Sequence, residues 1–157
     1  GELFARINRH LCAKPIGDSF VTAFLGFYEP ARRELVYARA GHPPPLLRNA
    51  ADAVRPLDEV GQIPLGIDAD VEYQAASVRI EPDDLLLLYT DGLSEARSDR
   101  GELFGVEGIR RRLAEASRPP AMIVEAIVDA AARHVAPGRP HDDQTLVVIR
   151  FGDSAGR

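Results

Sequence analysis

The chain has 157 residues, a length that one hydrophobic core usually serves, and it is 45% hydrophobic and 27% charged. This composition is typical of a folded globular domain and lies away from disordered, collagen-like and coiled-coil chains. The net charge of −5 gives no general attraction to nucleic acid or anionic lipid, and no segment is apolar for long enough to span a bilayer. One cysteine, Cys12, excludes an intramolecular disulfide and fits a reducing compartment, so we predict a cytoplasmic protein.

The first part of the chain predicts a helix and then a β-hairpin. Residues 2–14 have the spacing of an amphipathic helix. Its apolar stripe consists of Leu3, Phe4, Ile7 and Leu11. Two β-rich runs follow, joined by residues 29–34, where Pro30 favours a turn. Because residues 20–27 are apolar at almost every position, we expect the first strand to be covered on both faces.

The middle of the chain predicts short strands and a long loop. Residues 46–48 follow three consecutive prolines and predict a short strand of edge type. The sequence of residues 49–70 is typical of a loop, and residues 71–80 predict the next strand. The sequence LLLLYT at residues 85–90 predicts a central strand that is buried on both faces.

The last third of the chain predicts two helices and a final strand. The helices cover residues 106–116 and a segment that opens at residues 119–120, and the strand covers residues 144–151. In the second helix, Asp129 and Arg133 have the spacing of an ion pair. The order of elements lacks regular βαβ alternation and predicts a mainly antiparallel α+β layered fold. We expect one domain over residues 1–157, with an ordered core from about 3 to 151.

Two acidic motifs lie at the ends of predicted strands. Asp91 and Gly92 end the apolar run, and Asp142 and Asp143 precede the final strand. Taken alone, an Asp-Gly pair is typical of a tight turn, and adjacent acids are typical of a solvated turn. If the two strands are neighbours in one sheet, Asp91 and Asp142 converge on an oxygen-rich site that suits Mg²⁺ or Mn²⁺.

Five motifs in unbroken order give the chain a resemblance to a known family. They are FVTAFLGFYEPARRELVYARAGHPPPLL, IPLGI, LLLLYTDGLSEA, ELFGVEGI and HDDQTLVVIR. Over residues 3–151 the chain resembles the stage II sporulation protein E-like branch of the type 2C metal-dependent serine/threonine phosphatases. Five ordered motifs are far more specific than any one of them.

The resemblance implies an antiparallel β-sandwich flanked by helices, with a binuclear Mn²⁺ or Mg²⁺ centre. It implies that Asp91 and Asp142 ligate metal and so serve catalysis, and that Asp143 occupies a neighbouring, weaker ligand position. The implied reaction is hydrolysis of phosphoserine or phosphothreonine by a metal-bound hydroxide, with no protein nucleophile. The implied partner is a phosphorylated anti-sigma-factor antagonist in bacterial partner switching.

The sequence departs from the family pattern in one respect. The family's upstream motifs, GGD-x-x-D and GD-x-x-G-H-G, do not occur, and Asp18 lies in a context that favours a loop instead. Asp91 and Asp142 alone would leave a two-metal site under-ligated. We therefore expect either an N-terminally truncated portion of a longer phosphatase or a non-catalytic, phosphatase-like interaction module. Sheet edges left uncovered would also favour a homodimer.

Three smaller signals each keep two interpretations. His42 is either a ligand or phosphate contact or a structural residue of its Gly/Pro-rich loop. His141 either orients the neighbouring Asp142 or lies in a plain turn. The three arginines at residues 110–112 either bind an acidic partner or form a solvated helix face.

Overall fold

The computed structural model describes residues 1–14, 17, 19–135 and 142–152. Contacts divide the chain into two compact units: a first unit of Gly1–Pro44 and Leu57–Ile80, and a second unit of Pro45–Pro56 and Glu81–Arg157. Asp18 and His141 lie outside the described residues. The expectation of one domain over the whole chain stays a prediction.

The described residues contain four helices and seven strands. In chain order they are α1 (Glu2–Ala13), β1 (Ala23–Glu29), β2 (Glu34–Ala40), β3 (Leu46–Arg48), β4 (Val54–Pro56), β5 (Ala76–Arg79), β6 (Leu85–Tyr89), α2 (Asp91–Ser94), α3 (Gly105–Glu115), α4 (Pro120–His134) and β7 (Leu146–Arg150). All the strand pairs within the two sheets are antiparallel, which confirms the predicted α+β class. The first unit carries the sheet β1-β2-β5, and the second carries β4-β3-β6-β7.

The predicted first helix is confirmed as α1, but its buried face differs from the expected stripe. Phe4 is buried, whereas Leu3 and Ile7 are exposed, and a fully buried position is Asn8. The Asn8 side chain donates a hydrogen bond to the carbonyl oxygen of Asp68 at 2.7 Å and accepts another from a backbone N–H at 2.8 Å. These bonds satisfy the polar atoms of the buried Asn8 side chain. The apolar spacing of the sequence does not identify Asn8, although it lies on the buried face of α1.

The predicted hairpin is confirmed as β1 and β2, but the expected coverage of the first strand on both faces is wrong. Leu25 is 42% exposed and Phe27 is 70% exposed. Among the described strands, β1 is the outer strand of its sheet and pairs only with β2. An apolar run alone does not distinguish a strand that is buried on both faces from an edge strand that keeps apolar side chains exposed.

The predicted central strand is confirmed as β6, which lies between β3 and β7. Its buried side chains are Leu85, Leu86, Leu87 and Tyr89. Leu85, Leu87 and Tyr89 share a core with apolar residues of α3 and α4. The core residues from these helices are Ile109, Leu113, Ile123, Ile127 and Ala131. Because β6 is buried in this core, the core holds the end of the strand in place, and Asp91 follows directly after that end.

Two expectations for the middle of the chain are corrected. The strand at residues 46–48 is confirmed as β3, but it is internal, with β4 on one side and β6 on the other. The outer strand on the β3 side of the described sheet is β4, which lies within the segment that the sequence indicates as a loop. Pro56 in β4 lacks an N–H donor and is therefore tolerated at an edge. In the first unit, β5 is shorter than the strand predicted at residues 71–80.

The two predicted C-terminal helices are confirmed as α3 and α4. Arg133 and Asp129 on α4 form the expected ion pair, with an N–O distance of 3.8 Å. None of the helices in the described ranges combines the length and the apolar character that crossing a membrane requires.

Candidate metal site at the end of strand β6

Strand β6 leads directly into the residue that the sequence marks as a metal ligand. Thr90 is extended and occupies the position before the short helix α2, which begins at Asp91, without a capping hydrogen bond from its side chain. The N–H of Gly92 donates to Oδ1 of Asp91 at 2.9 Å, and the Asp91 side chain is exposed. One carboxylate oxygen of Asp91 is therefore held by its neighbour while the residue remains accessible to solvent.

The second acidic motif lies beside the same end of β6. Tyr89 pairs with Leu146 in the antiparallel β6–β7 ladder, so the residues before β7 run next to the residues after β6. Asp142 and Asp143 are exposed, and the N–H of Asp143 donates to Oδ1 of Asp142 at 2.9 Å. The sequence predicts that Asp91 and Asp142 converge if the strands beside them are neighbours. Strands β6 and β7 are neighbours in the structure.

Thr90 joins the two acidic segments through its hydroxyl group. Oγ1 donates to the carbonyl oxygen of Asp143 at 3.3 Å and accepts from the N–H of Thr145 at 3.0 Å. The side-chain amide of Gln144 adds a hydrogen bond to the carbonyl oxygen of Gly92 at 3.2 Å. Sequence reasoning missed the roles of Thr90 and Gln144, although both lie inside the motifs that carry the family resemblance.

Gly92 allows these segments to touch. A Cβ atom at this position would lie 2.5 Å from the carbonyl oxygen of Asp143 and 3.3 Å from Cβ of Asp142. Real Cβ atoms essentially never approach a backbone oxygen so closely. In the sequence alone, turn geometry explains Gly92. In the structure, its lack of a side chain is also needed for the close approach between the two acidic segments.

The residues of this site fit part of a metal centre. Asp91, Asp142 and Asp143 offer the carboxylate oxygens that Mg²⁺ and Mn²⁺ prefer. Across the described ranges, however, no group of three or more His, Cys, Asp or Glu side chains is arranged to hold a metal ion. Hard divalent ions take about six oxygen ligands each, so these residues do not furnish the ligands of two ions.

His42 belongs to the first unit and has a structural environment. Its Nδ1 lies 2.7 Å from the carbonyl oxygen of Pro43, and its ring is tilted against Phe24 at a centroid distance of 6.2 Å. Its own carbonyl oxygen accepts a hydrogen bond from Arg39 at 2.6 Å. These contacts favour the interpretation of His42 as a residue that shapes its loop.

The fold is similar to that of a solved phosphatase domain. The phosphatase domain of the cell fate determinant SpoIIE from Bacillus subtilis, presoaked with Mn, superimposes with a TM-score of 0.74 at 20% sequence identity. The match covers 98% of this chain and 66% of that chain. The predicted fold class, that of the type 2C phosphatases with antiparallel sheets and flanking helices, is thereby confirmed.

Sequence comparison identifies the family. The family model for stage II sporulation protein E (SpoIIE) matches residues 1–152. The chain belongs to this family, which confirms the resemblance.

Two curated relatives are longer than this chain. Protein IcfG of Synechocystis sp. is 27% identical over 146 residues, which are 92% of this chain and 23% of that protein. Phosphoserine phosphatase RsbU of Bacillus subtilis is 27% identical over 150 residues, which are 95% of this chain and 44% of that protein. The chain thus spans less than half the length of either relative.

Proposed function

We propose that Asp91 and Asp142, with Asp143 beside them, form part of a metal-dependent centre that removes phosphate from phosphoserine or phosphothreonine on a regulatory protein. The observation that carries the proposal is the contact between Gly92 and the main chain of residues 142–143, which brings the two acidic segments together. The name of the relative RsbU, a phosphoserine phosphatase, supports this substrate class.

The proposed cofactor is Mn²⁺ or Mg²⁺. When bound, such an ion lowers the pKa of a coordinated water and offsets charge on the phosphoryl oxygens. In Asp91 and Asp142, Oδ1 accepts a backbone hydrogen bond, so the carboxylate is oriented while Oδ2 stays available to an ion. The Mn presoak of the related phosphatase domain supports the choice of metal.

The proposed partner is a phosphorylated anti-sigma-factor antagonist, as the family resemblance implies, and the proposed location is the cytoplasm. The free cysteine, Cys12, supports a reducing compartment.

We also propose that two copies of the chain associate through β1, whose exposed Leu25 and Phe27 lie on the outer strand of the described sheet. Such an edge offers main-chain groups for pairing with a second copy.

The proposal is tested by the Mn²⁺-dependent release of phosphate from a phosphoserine peptide. We expect Asp91→Asn to lower the rate by about tenfold or more, since even groups that only support metal ligands cost about 10–100-fold when lost. Asp99→Asn is the matched control, because Asp99 is exposed and has no hydrogen bond or ion pair within the described part of the chain. Equal rates for the parent and Asp91→Asn would contradict the proposal.

A second candidate function is that of a non-catalytic interaction module. It is favoured by the lack, among the described residues, of a group of three metal-binding side chains. This candidate predicts that the chain binds a phosphorylated antagonist protein in a pull-down but releases no phosphate at any Mn²⁺ concentration. Metal-dependent release by the 157-residue chain would exclude it.

A further inference from the structure

A cationic pocket lies between α3 and α4 in the second unit. Its volume is about 380 Å³, and none of Asp91, Asp142 and Asp143 lines it. Its polar and aromatic lining includes Phe104, Glu107, Arg111, Arg112, Arg133 and His134. Arg111 and Arg112, two of the three consecutive arginines whose role the sequence leaves open, therefore line the same cavity.

Positive charge predominates in this pocket although the whole chain is acidic. Three guanidinium groups line it against one carboxylate, that of Glu107. Glu107 pairs with Arg110, which is not a lining residue, at 3.5 Å on the exposed helix surface. Arg112 and Arg133 also form ion pairs, with Glu115 at 3.2 Å and with Asp129 at 3.8 Å, but neither carboxylate lines the pocket. The lining is therefore cationic although the whole chain is acidic, and Arg111 carries the guanidinium charge that no described ion pair offsets.

Two of the arginines keep donors available for a ligand. Nε of Arg112 is buried and has no hydrogen-bond partner in the described structure, while its terminal nitrogen pairs with Glu115 at 3.2 Å. The side chain of Arg111 has no hydrogen bond or ion pair with any residue that the structure describes. A buried charged donor without an acceptor is costly, so the Arg112 side chain gains by turning its Nε toward an anion in the pocket.

The pocket also has an aromatic wall. The Phe104 ring lies against Gly108, where a Cβ atom would be 3.1 Å from Cδ2 of the ring. The His134 ring is tilted by 57° to the Phe104 ring at a centroid distance of 5.6 Å, and its Nε2 lies 2.9 Å from the carbonyl oxygen of Glu102. The absence of a side chain at Gly108 therefore lets the ring settle on the helix and form an apolar wall beside the cations.

We propose that this pocket binds a small organic phosphate. The phosphate group lies among the guanidinium groups of Arg111, Arg112 and Arg133, and the organic group lies against Phe104. The planar fork of donors on arginine matches the oxygens of a phosphate group, and the cavity falls within the range of about 300–1,000 Å³ that is usual for small-molecule sites. This site is separate from the proposed metal centre and does not depend on it.

The test is calorimetric titration of the 157-residue protein with adenosine monophosphate in buffer that contains EDTA. We expect saturable binding, with inorganic phosphate binding more weakly because it lacks the organic group. Arg111→Gln should weaken binding by roughly tenfold, since one charge-assisted hydrogen bond contributes about that factor. Arg110→Gln is the matched control, because it removes the same charge from the same helix outside the pocket, and binding should change by less than about twofold.

Four results of the titrations with the parent, Arg110→Gln and Arg111→Gln would each overturn the proposal. They are a lack of saturable binding at millimolar nucleotide, equal losses in Arg110→Gln and Arg111→Gln, affinity for inorganic phosphate equal to that for adenosine monophosphate, and displacement of the nucleotide by a tighter-binding polyglutamate peptide. Asp91→Asn should bind the nucleotide as the parent does. Loss of binding in Asp91→Asn would instead locate the ligand at the candidate metal site and would also contradict the proposal.

Discussion

Gly92 lies so close to Asp143 that a Cβ atom on Gly92 would be 2.5 Å from the carbonyl oxygen of Asp143. This contact joins the turn after β6 to the segment before β7. The obstructing atom is backbone, which cannot rotate away as the end of a flexible side chain can. Close approach at this one glycine is therefore a precondition for the arrangement of the two acidic segments.

We expect Gly92→Ala to lower the free energy of unfolding by about 1–3 kcal/mol, since overpacking of a close contact typically costs this much. Denaturant titration measures the change. Gly152→Ala is the control, because a Cβ atom there meets nothing within 4 Å. If Gly92→Ala were as stable as Gly152→Ala, the close approach would not exist in solution.

Thr90→Val tests the hydroxyl that joins the two segments. Valine keeps the branched shape but loses the hydrogen bonds to Asp143 and Thr145. We expect a loss of about 1 kcal/mol in the free energy of unfolding, the net contribution of a typical intramolecular hydrogen bond, because Thr145 is exposed and water can replace the lost acceptor. Thr22→Val, at an exposed threonine without a side-chain hydrogen bond in the described structure, should change it by less than about 0.5 kcal/mol. Equal effects of the two variants would contradict the assignment.

Asp52→Asn tests a buried ion pair in the second unit. Arg48 is only 3% exposed and pairs with Asp52 at 2.8 Å, and Arg118 pairs with the same carboxylate oxygen at 2.6 Å. Asparagine tolerates the positive φ of 63° at this position, so the change removes mainly the charge.

We expect Asp52→Asn to lower the free energy of unfolding by about 2–3 kcal/mol. This lies below the full cost of breaking a buried pair, because Asp52 is half-exposed and the amide oxygen still accepts hydrogen bonds. Glu29→Gln, which removes an exposed pair with Arg32, should cost less than about 0.5 kcal/mol. Thermal or denaturant unfolding distinguishes the two, and a loss no larger than that of Glu29→Gln would refute the role of Asp52.

Tyr73 gives the first unit a dependence on alkaline pH. Burial raises the pKa of Tyr73 above its ordinary value, and Cys12 and Asp68 add to the increase. The folded state therefore favours the protonated phenol, whose contribution to stability is complete below the unfolded pKa of about 10 and is lost as the pH rises through the higher folded-state pKa. Above pH 10, the free energy of unfolding of the parent should fall more steeply than that of Tyr73→Phe. Parallel curves for the two proteins would contradict this expectation.

Strong patterns in the sequence predict the framework of the site. The apolar run at residues 85–90 identifies β6, and the periodic segments identify α1, α3 and α4. The positions of Asp91 and Asp142 at strand ends predict that the two residues lie on the same side of the sheet, provided that β6 and β7 are neighbours. The helices and β6 depend on local periodicity, which a sequence carries directly, whereas the adjacency of β6 and β7 is a tertiary pairing that the sequence leaves as a condition.

The features that the sequence does not predict depend on tertiary contacts. The internal position of β3 depends on β4, whose three residues give no strand signal of their own. The exposure of β1 depends on its edge position, and the burial of Asn8 depends on partners about sixty residues away. The role of Gly92 depends on backbone of residues 142–143, and no local pattern encodes such a distant neighbour.

Calorimetric titration with Mn²⁺ tests the central claim most directly, because the claim is that Asp91 and Asp142 share one metal site. The parent should bind Mn²⁺ saturably, and Asp91→Asn and Asp142→Asn should each weaken binding by about tenfold or more, while Asp99→Asn leaves it unchanged. Binding that is the same in the parent, Asp91→Asn and Asp142→Asn would contradict the account.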